Sequence, residues 1–203
     1  DTIIFNIDSK SKNAKGFNTI TDIFLKALNK HRGFNDQNIA LALHLEKHLD
    51  KIGKFQSFKN EIKKTLNKEW IGNEEDICYT HLQTVLEIAQ QIDSSIDVES
   101  LRPIINNLRQ DYSIDDLVRE FQEFLTNKEE NYRLIFLVDE VSQYIGANES
   151  LLLNLETIVE ETASHCGNHI WLGCTAQQEL PAVISNTGNR TGAFGKIMGR
   201  FET

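Results

Sequence analysis

The order of apolar and polar residues divides the chain into three textures. It opens on DTIIFNIDS, where the run from Thr2 to Ile7 predicts a short strand closed by the polar stretch DSKSKNAKG. From Asn18 to about Glu130 the apolar spacing turns helical. TITDIFLKALNK sets Ile20, Ile23, Phe24, Ala27 and Leu28 on one face. DQNIALALHLEKHLDKIG predicts a second helix, capped by Asp36 and ended near Gly53. A third covers FQSFKNEIKKTLNKEW and a fourth EDICYTHLQTVLEIAQQI. VESLRPIINNLRQ predicts a shorter helix that tolerates Pro103 only near its first turn. In SIDDLVREFQEFLTNK, Ser113 and Asp116 have the spacing of a capping box.

After Tyr132 the texture changes again. RLIFLV is a short continuous apolar run, which predicts a strand covered on both faces. ESLLLNLETIVEETASHCG predicts an amphipathic helix with Leu151, Leu152, Leu155, Ile158 and Val159 buried and Gly167 as its C-cap. HIWLGCTA predicts another buried strand. Strand, helix and strand in succession predict a βαβ unit with parallel strands. The fold class expected is α/β, with a short sheet at 1–16 and 131–203 and a helical insertion at 17–130. That insertion is longer than any ordinary connection and needs a core of its own.

Composition narrows the picture. With 203 residues, 40% of them hydrophobic, the chain can bury a sizeable core. A net charge of −9 argues against a broad nucleic-acid surface, which needs clustered Lys and Arg. The Lys-rich segment 54–68 reads as a solvated helix face. Cys78, Cys166 and Cys174 are odd in number and scattered, as free thiols in a reducing compartment would be. No apolar run approaches a membrane span and no signal-peptide pattern opens the chain, so a cytoplasmic protein with no membrane partner is expected. The abrupt ends at DTIIF and GRFET suggest a piece of a longer protein.

Candidate chemistry gathers where the predicted strands end, because ligands of open α/β sheets bind beyond the carboxyl ends of the strands. Asp139, Glu140, Thr175, Gln177 and Gln178 all fall there. An apolar strand ending in Asp-Glu fits the Walker B pattern of P-loop ATPases. One carboxylate, Asp139, would steady a hydrated Mg²⁺, and the next, Glu140, would orient and polarise the attacking water. The same pair also suits an ordinary strand-to-helix junction, where acids favour the helix dipole. Thr175 and Gln177 sit where a neighbouring strand can sense a γ-phosphate, although Thr175 could equally cap a helix starting at Gln177.

No phosphate loop of the form G-x-x-x-x-G-K-[ST] occurs in the sequence. GAFGKIMG, residues 192–199, has a Gly-Lys pair, but its first Gly is too close, Ile197 replaces the hydroxyl residue, and Lys196 reads as a surface lysine. His44 and His48 are four apart but lack the H-E-x-x-H glutamate and a third ligand. His165, Cys166 and His169 lack a fourth ligand.

FLVDEVSQYIGANESLLLNLETIVEETASHCGNHIWLGCTAQQEL, residues 136–180, resembles the Walker B region of the BrxC-like P-loop proteins of bacterial BREX phage-resistance systems. The terminal KIMGRFET resembles that family's K-I-x-G-R-F-x-T segment, and DTIIFNIDSKS resembles the strand after its P-loop helix. The resemblance implies a partial AAA+-like P-loop NTPase core using ATP and Mg²⁺ in the full-length parent. Asp139 would be the metal-holding acid, and Glu140 the catalytic one. Thr175 or Gln177 would take the sensor position, and Arg200 would be a candidate for the arginine that reaches a γ-phosphate, in cis or from a neighbouring subunit, its plain alternative being a surface arginine. Other defence-system proteins would be its partners. The absent phosphate loop lies upstream in the family.

The resemblance also implies a strand order. With the P-loop strand missing, three strands remain, the Asp139 strand lies in the middle, and the 169–175 strand is an edge open to self-association. A second reading keeps the fold but gives the work to the helical block, as a scaffold that binds protein or nucleic acid without turnover.

Overall fold

A computed structural model of the chain describes residues 1–7, 19–106, 111–145 and 148–175. In chain order the elements are β1 (Thr2–Asn6), α1 (Thr19–His31), α2 (Ala40–Lys51), α3 (Phe55–Leu66), α4 (Glu74–Thr80), α5 (Leu82–Ile92), α6 (Arg102–Asn106), α7 (Ile114–Leu125), β2 (Leu134–Asp139), α8 (Val141–Ile145), α9 (Glu149–Cys166) and β3 (Ile170–Cys174). Among the described residues the fold is α/β, mostly helical, with one parallel sheet of three strands in the order β1-β2-β3. The Asp139 strand is therefore central and 170–174 is an edge of this sheet, as expected. Asn6 pairs with Asp139 across β1 and β2, and Val138 with Cys174 across β2 and β3.

The sheet corrects the expectation of strands covered on both faces. Burial along β2 alternates strictly. Leu134, Phe136 and Val138 are buried with Ile3, Phe5 and Ile170, whereas Ile135 and Leu137 are part-exposed, Ile4 is 72% exposed and Trp171 56%. A continuous apolar run is ambiguous because it suits burial on either face. The period of two in exposure shows which side is packed here. On that side the ring of Phe24 meets Phe5 edge-on at 5.7 Å and Phe136 at 5.1 Å, and Phe121 lies 5.5 Å from Phe136.

Those rings explain how the chain divides. One compact unit is Asp1–Ala27 with Tyr112–Thr203; the other is Leu28–Asp111. This differs from the expected 1–16 with 131–203 and 17–130. The early part of α1 and the whole of α7 join the sheet because Phe24 and Phe121 pack on Phe136. α7 starts at the predicted capping box, with Ser113 and Asp116 satisfying each other's backbone N–H. α9 is capped by Asn148 and stops at Gly167 as predicted.

Within the first unit, Asn154 on α9 is fully buried. Its Oδ1 accepts the backbone N–H groups of Ile20 and Thr21, at 3.1 and 3.3 Å, and its Nδ2 donates to the Thr21 hydroxyl at 3.0 Å. The orphan donors at the start of α1 are thus satisfied from a helix far away in sequence.

The second unit shows three local departures. Asp36 does not cap α2, whose N-cap is Ile39 with no side-chain bond. Asn35 does comparable work one turn earlier, its Oδ1 accepting the N–H groups of Gln37 and Ile39 at 3.1 and 3.0 Å. The predicted fourth helix breaks into α4 and α5 at His81, where φ is −127° and ψ 31°. Pro103 lies in the first turn of α6, as its missing N–H requires, but a 3₁₀ turn at Glu99–Leu101 precedes it. Glu46 is buried between Asn35 and Trp70, and Trp70 packs edge-on against Phe58 at 4.9 Å. Among the described residues no helix is long and apolar enough to cross a membrane.

Candidate functional site

The parallel pairing of the sheet brings Asn6, Asp139, Glu140 and Thr175 together beyond the carboxyl ends of the strands. Asp139 is the last residue of β2 and its side chain is exposed. One residue past β3, the backbone N–H of Thr175 donates to the carbonyl of Val138 at 2.9 Å and extends the ladder by one bond. That bond aims the Thr175 hydroxyl at Oδ1 of Asp139, to which it donates. The Glu140 N–H donates to the same Oδ1 at 3.0 Å and to the Thr175 hydroxyl oxygen at 3.3 Å. Asp139, Glu140 and Thr175 thus close a small ring of hydrogen bonds between β2 and β3.

Glu140 has φ +62°, a left-handed conformation that costs a non-glycine residue on the order of 1 kcal/mol. The chain turns sharply there from β2 into α8, and the Glu140 carbonyl accepts the Tyr144 N–H at 3.2 Å. The turn directs the Glu140 side chain towards β1, where Nδ2 of Asn6 donates to Oε2. Asn6 is the site residue that sequence reading missed. It ends an apolar strand in register with Asp139 and on the same face of the sheet, but its partner is fixed only once the two strands are paired.

Asp139 suits a hydrated divalent cation. Its Oδ1 is committed to Thr175 and Glu140, and no hydrogen bond reaches Oδ2 among the described residues. No group of three or more His, Cys, Asp and Glu side chains among the described residues is set to hold a metal by itself. Among the described residues, Asp139 therefore offers a cation one carboxylate and not a full set of protein ligands. No cradle of glycine-loop N–H groups for phosphate is present among the described residues. Gln177, Gln178, Lys196 and Arg200 lie outside them.

The other candidate ligands have local partners. His48 Nε2 is 2.6 Å from Asp93, and that hydrogen bond holds the Asp93 carboxyl down at about 2. The His44 ring stacks parallel to His48 at 6.4 Å, and burial pushes its pKa down. His165 Nδ1 meets the Glu161 carbonyl at 2.9 Å, and His169 Nδ1 the Tyr132 carbonyl at 3.0 Å. Burial pushes the Cys78 thiol up to about 12 and those of Cys166 and Cys174 up to about 11, which keeps all three protonated near neutrality.

No protein-family model matches the chain, and no solved structure matches it.

Proposed function

We propose that the strand-tip cluster is the hydrolytic half of a nucleotide site, in a P-loop NTPase core of the BrxC-like kind from a bacterial phage-defence system. The observation that carries this reading is the ring joining Asp139, Glu140 and Thr175 at the carboxyl end of a central parallel strand. The ring ties Oδ1 of Asp139 to Thr175 and to the Glu140 N–H, while Asn6 separately bonds the Glu140 carboxylate, which supports giving the two acids different roles.

In this reading Asp139 would hold Mg²⁺, and Thr175 keeps the Asp139 carboxylate oriented by donating to its Oδ1. Bound Mg²⁺ and ATP supply the charge neutralisation and the phosphoryl group. Glu140 orients a water molecule and accepts its proton at the carboxylate. Asn6 steadies that carboxylate through Oε2. Gln177 and Arg200 are proposed to complete the site as sensor and γ-phosphate arginine. The elements that cradle the phosphates come from chain outside these residues, since no phosphate loop occurs in the sequence.

The test compares Mg²⁺ dependence of ATP turnover in the natural protein that contains these residues, with and without Asp139→Asn. The variant is expected to need at least about tenfold more Mg²⁺ or to lose turnover. An unchanged Mg²⁺ dependence contradicts the role of Asp139. For the 203-residue chain alone, calorimetric titration with Mg-ATP is expected to show no binding, and tight binding would contradict the half-site.

A further inference from the structure

The unit Leu28–Asp111 contains a built cleft separate from the strand-tip cluster. Its walls come from the end of α1 with the connection to α2, and from the connection between α3 and α4 with α4 itself. One buried carboxyl group, that of Glu46, ties the two walls together. Glu46 accepts the Asn35 backbone N–H at 2.7 Å on one oxygen and the Trp70 indole N–H at 2.7 Å on the other. On the second wall Glu74 accepts the Gly72 N–H at 2.9 Å. The walls are pinned by internal bonds, so little chain ordering remains to be done on binding.

The cleft measures about 760 Å³, within the range of ligand and side-chain pockets. Two large apolar side chains in its lining stand in water, Tyr79 at 68% exposure and Ile71 at 49%. Glu75 and Asp76 are exposed in its lining, Asp36 is part-exposed and accepts the Gln37 side-chain N–H at 2.8 Å, and Glu74 is buried; Lys30 is the cation among the lining residues. Lys68 reaches Asp76 at 2.7 Å, an exposed pair that a partner's cation can exchange with at small cost. A phosphate-bearing ligand meets the wrong sign of charge here. Apolar contact area ringed by carboxylates complements a segment that is basic and apolar together.

We propose that this cleft docks a Lys/Arg-rich segment of a partner protein. An apolar or aromatic side chain of that segment lies on Ile71 and Tyr79, and its cations face the carboxylates of Asp36, Glu75 and Asp76. This inference is independent of the nucleotide reading, since none of its residues belongs to the strand-tip cluster.

Fluorescence anisotropy of the 203-residue chain with short synthetic peptides tests it. One peptide alternates lysine with leucine and tyrosine; a second replaces its lysines with glutamates; a third replaces its apolar residues with serine. The first is expected to bind at least about tenfold more tightly than the others, and Tyr79→Ala and Glu75→Lys are each expected to weaken it about tenfold. Both substitutions are at exposed positions, and unchanged circular dichroism and thermal melting identify folded variants. Absence of binding, equal binding of the basic and acidic peptides, or wild-type affinity in both folded variants overturns the proposal.

Discussion

Asn6, the last residue of β1, donates its side-chain N–H to Glu140, the first residue past β2. The two meet because β1 and β2 pair in parallel with Asn6 against Asp139. Thr175 reaches the same turn from the other flank of β2. The central strand is thus braced at its tip by both neighbours, and each brace acts on a different carboxylate.

Replacing Asn6 tests the first brace. In the natural protein containing these residues, Asn6→Ala is expected to lower ATP turnover about tenfold by loosening Glu140, with nucleotide affinity kept. Its stability cost, read by urea denaturation of the 203-residue chain, is expected near 1 kcal/mol. A stability loss with unchanged turnover would reduce Asn6 to a structural contact.

Asn154→Ala strips the acceptor from the first N–H groups of α1 and leaves them buried. The expected cost is about 2–3 kcal/mol by urea denaturation. Asn154→Asp keeps the acceptor at a helix N-terminus and is expected to cost less. Equal costs for the two would show that the acceptor is not what matters.

Much of the fold was legible because periodicity reports burial. The helical stripes, the Ser113–Asp116 box and the Gly167 cap all depend on neighbours within one turn. So does the position of Asp139 and Glu140 at the end of an apolar run. What was not legible depended on distant partners. Asn154 sits on the apolar stripe of its helix, a sign of a buried polar role, yet nothing in LLLNLE names Ile20 and Thr21. Asn6 gives no hint of Glu140 before register is known. The run RLIFLV is apolar on both parities, so sequence could not say which side would be packed. Asp36 has the chemistry of a cap, but Asn35 takes the local N–H groups first.

The packed side of the sheet makes a separate prediction. Phe136→Ala removes the ring on which Phe24 and Phe121 converge, and is expected to cost about 3–5 kcal/mol. Ile4→Thr, two residues from the end of β1 on the open face, is expected to change stability by about 0.5 kcal/mol or less. Denaturation midpoints of the two variants separate the faces; similar losses would mean that both are packed.

Glu46 sets a pH dependence. Burial pushes its carboxyl up from 4.5 to about 8, against the opposing effect of the N–H bonds from Asn35 and Trp70. The folded chain therefore holds a proton that the unfolded chain releases above about pH 4.5. Stability from this group is fully present below that pH and is lost as pH rises towards about 8. Glu46→Gln, which cannot ionise, is expected to flatten this part of the profile. Urea midpoints across that window that fall equally in both proteins would contradict the assignment.

The central claim is that Glu140 handles the proton of an attacking water while Asp139 and the rest of the site hold the ligand. The most direct test is steady-state Mg-ATP hydrolysis, with nucleotide affinity measured alongside, in the natural protein containing these residues and its Glu140→Gln variant. The predicted result is a fall in turnover of about 100-fold or more with affinity retained. Turnover in Glu140→Gln equal to that of the unaltered protein would contradict it.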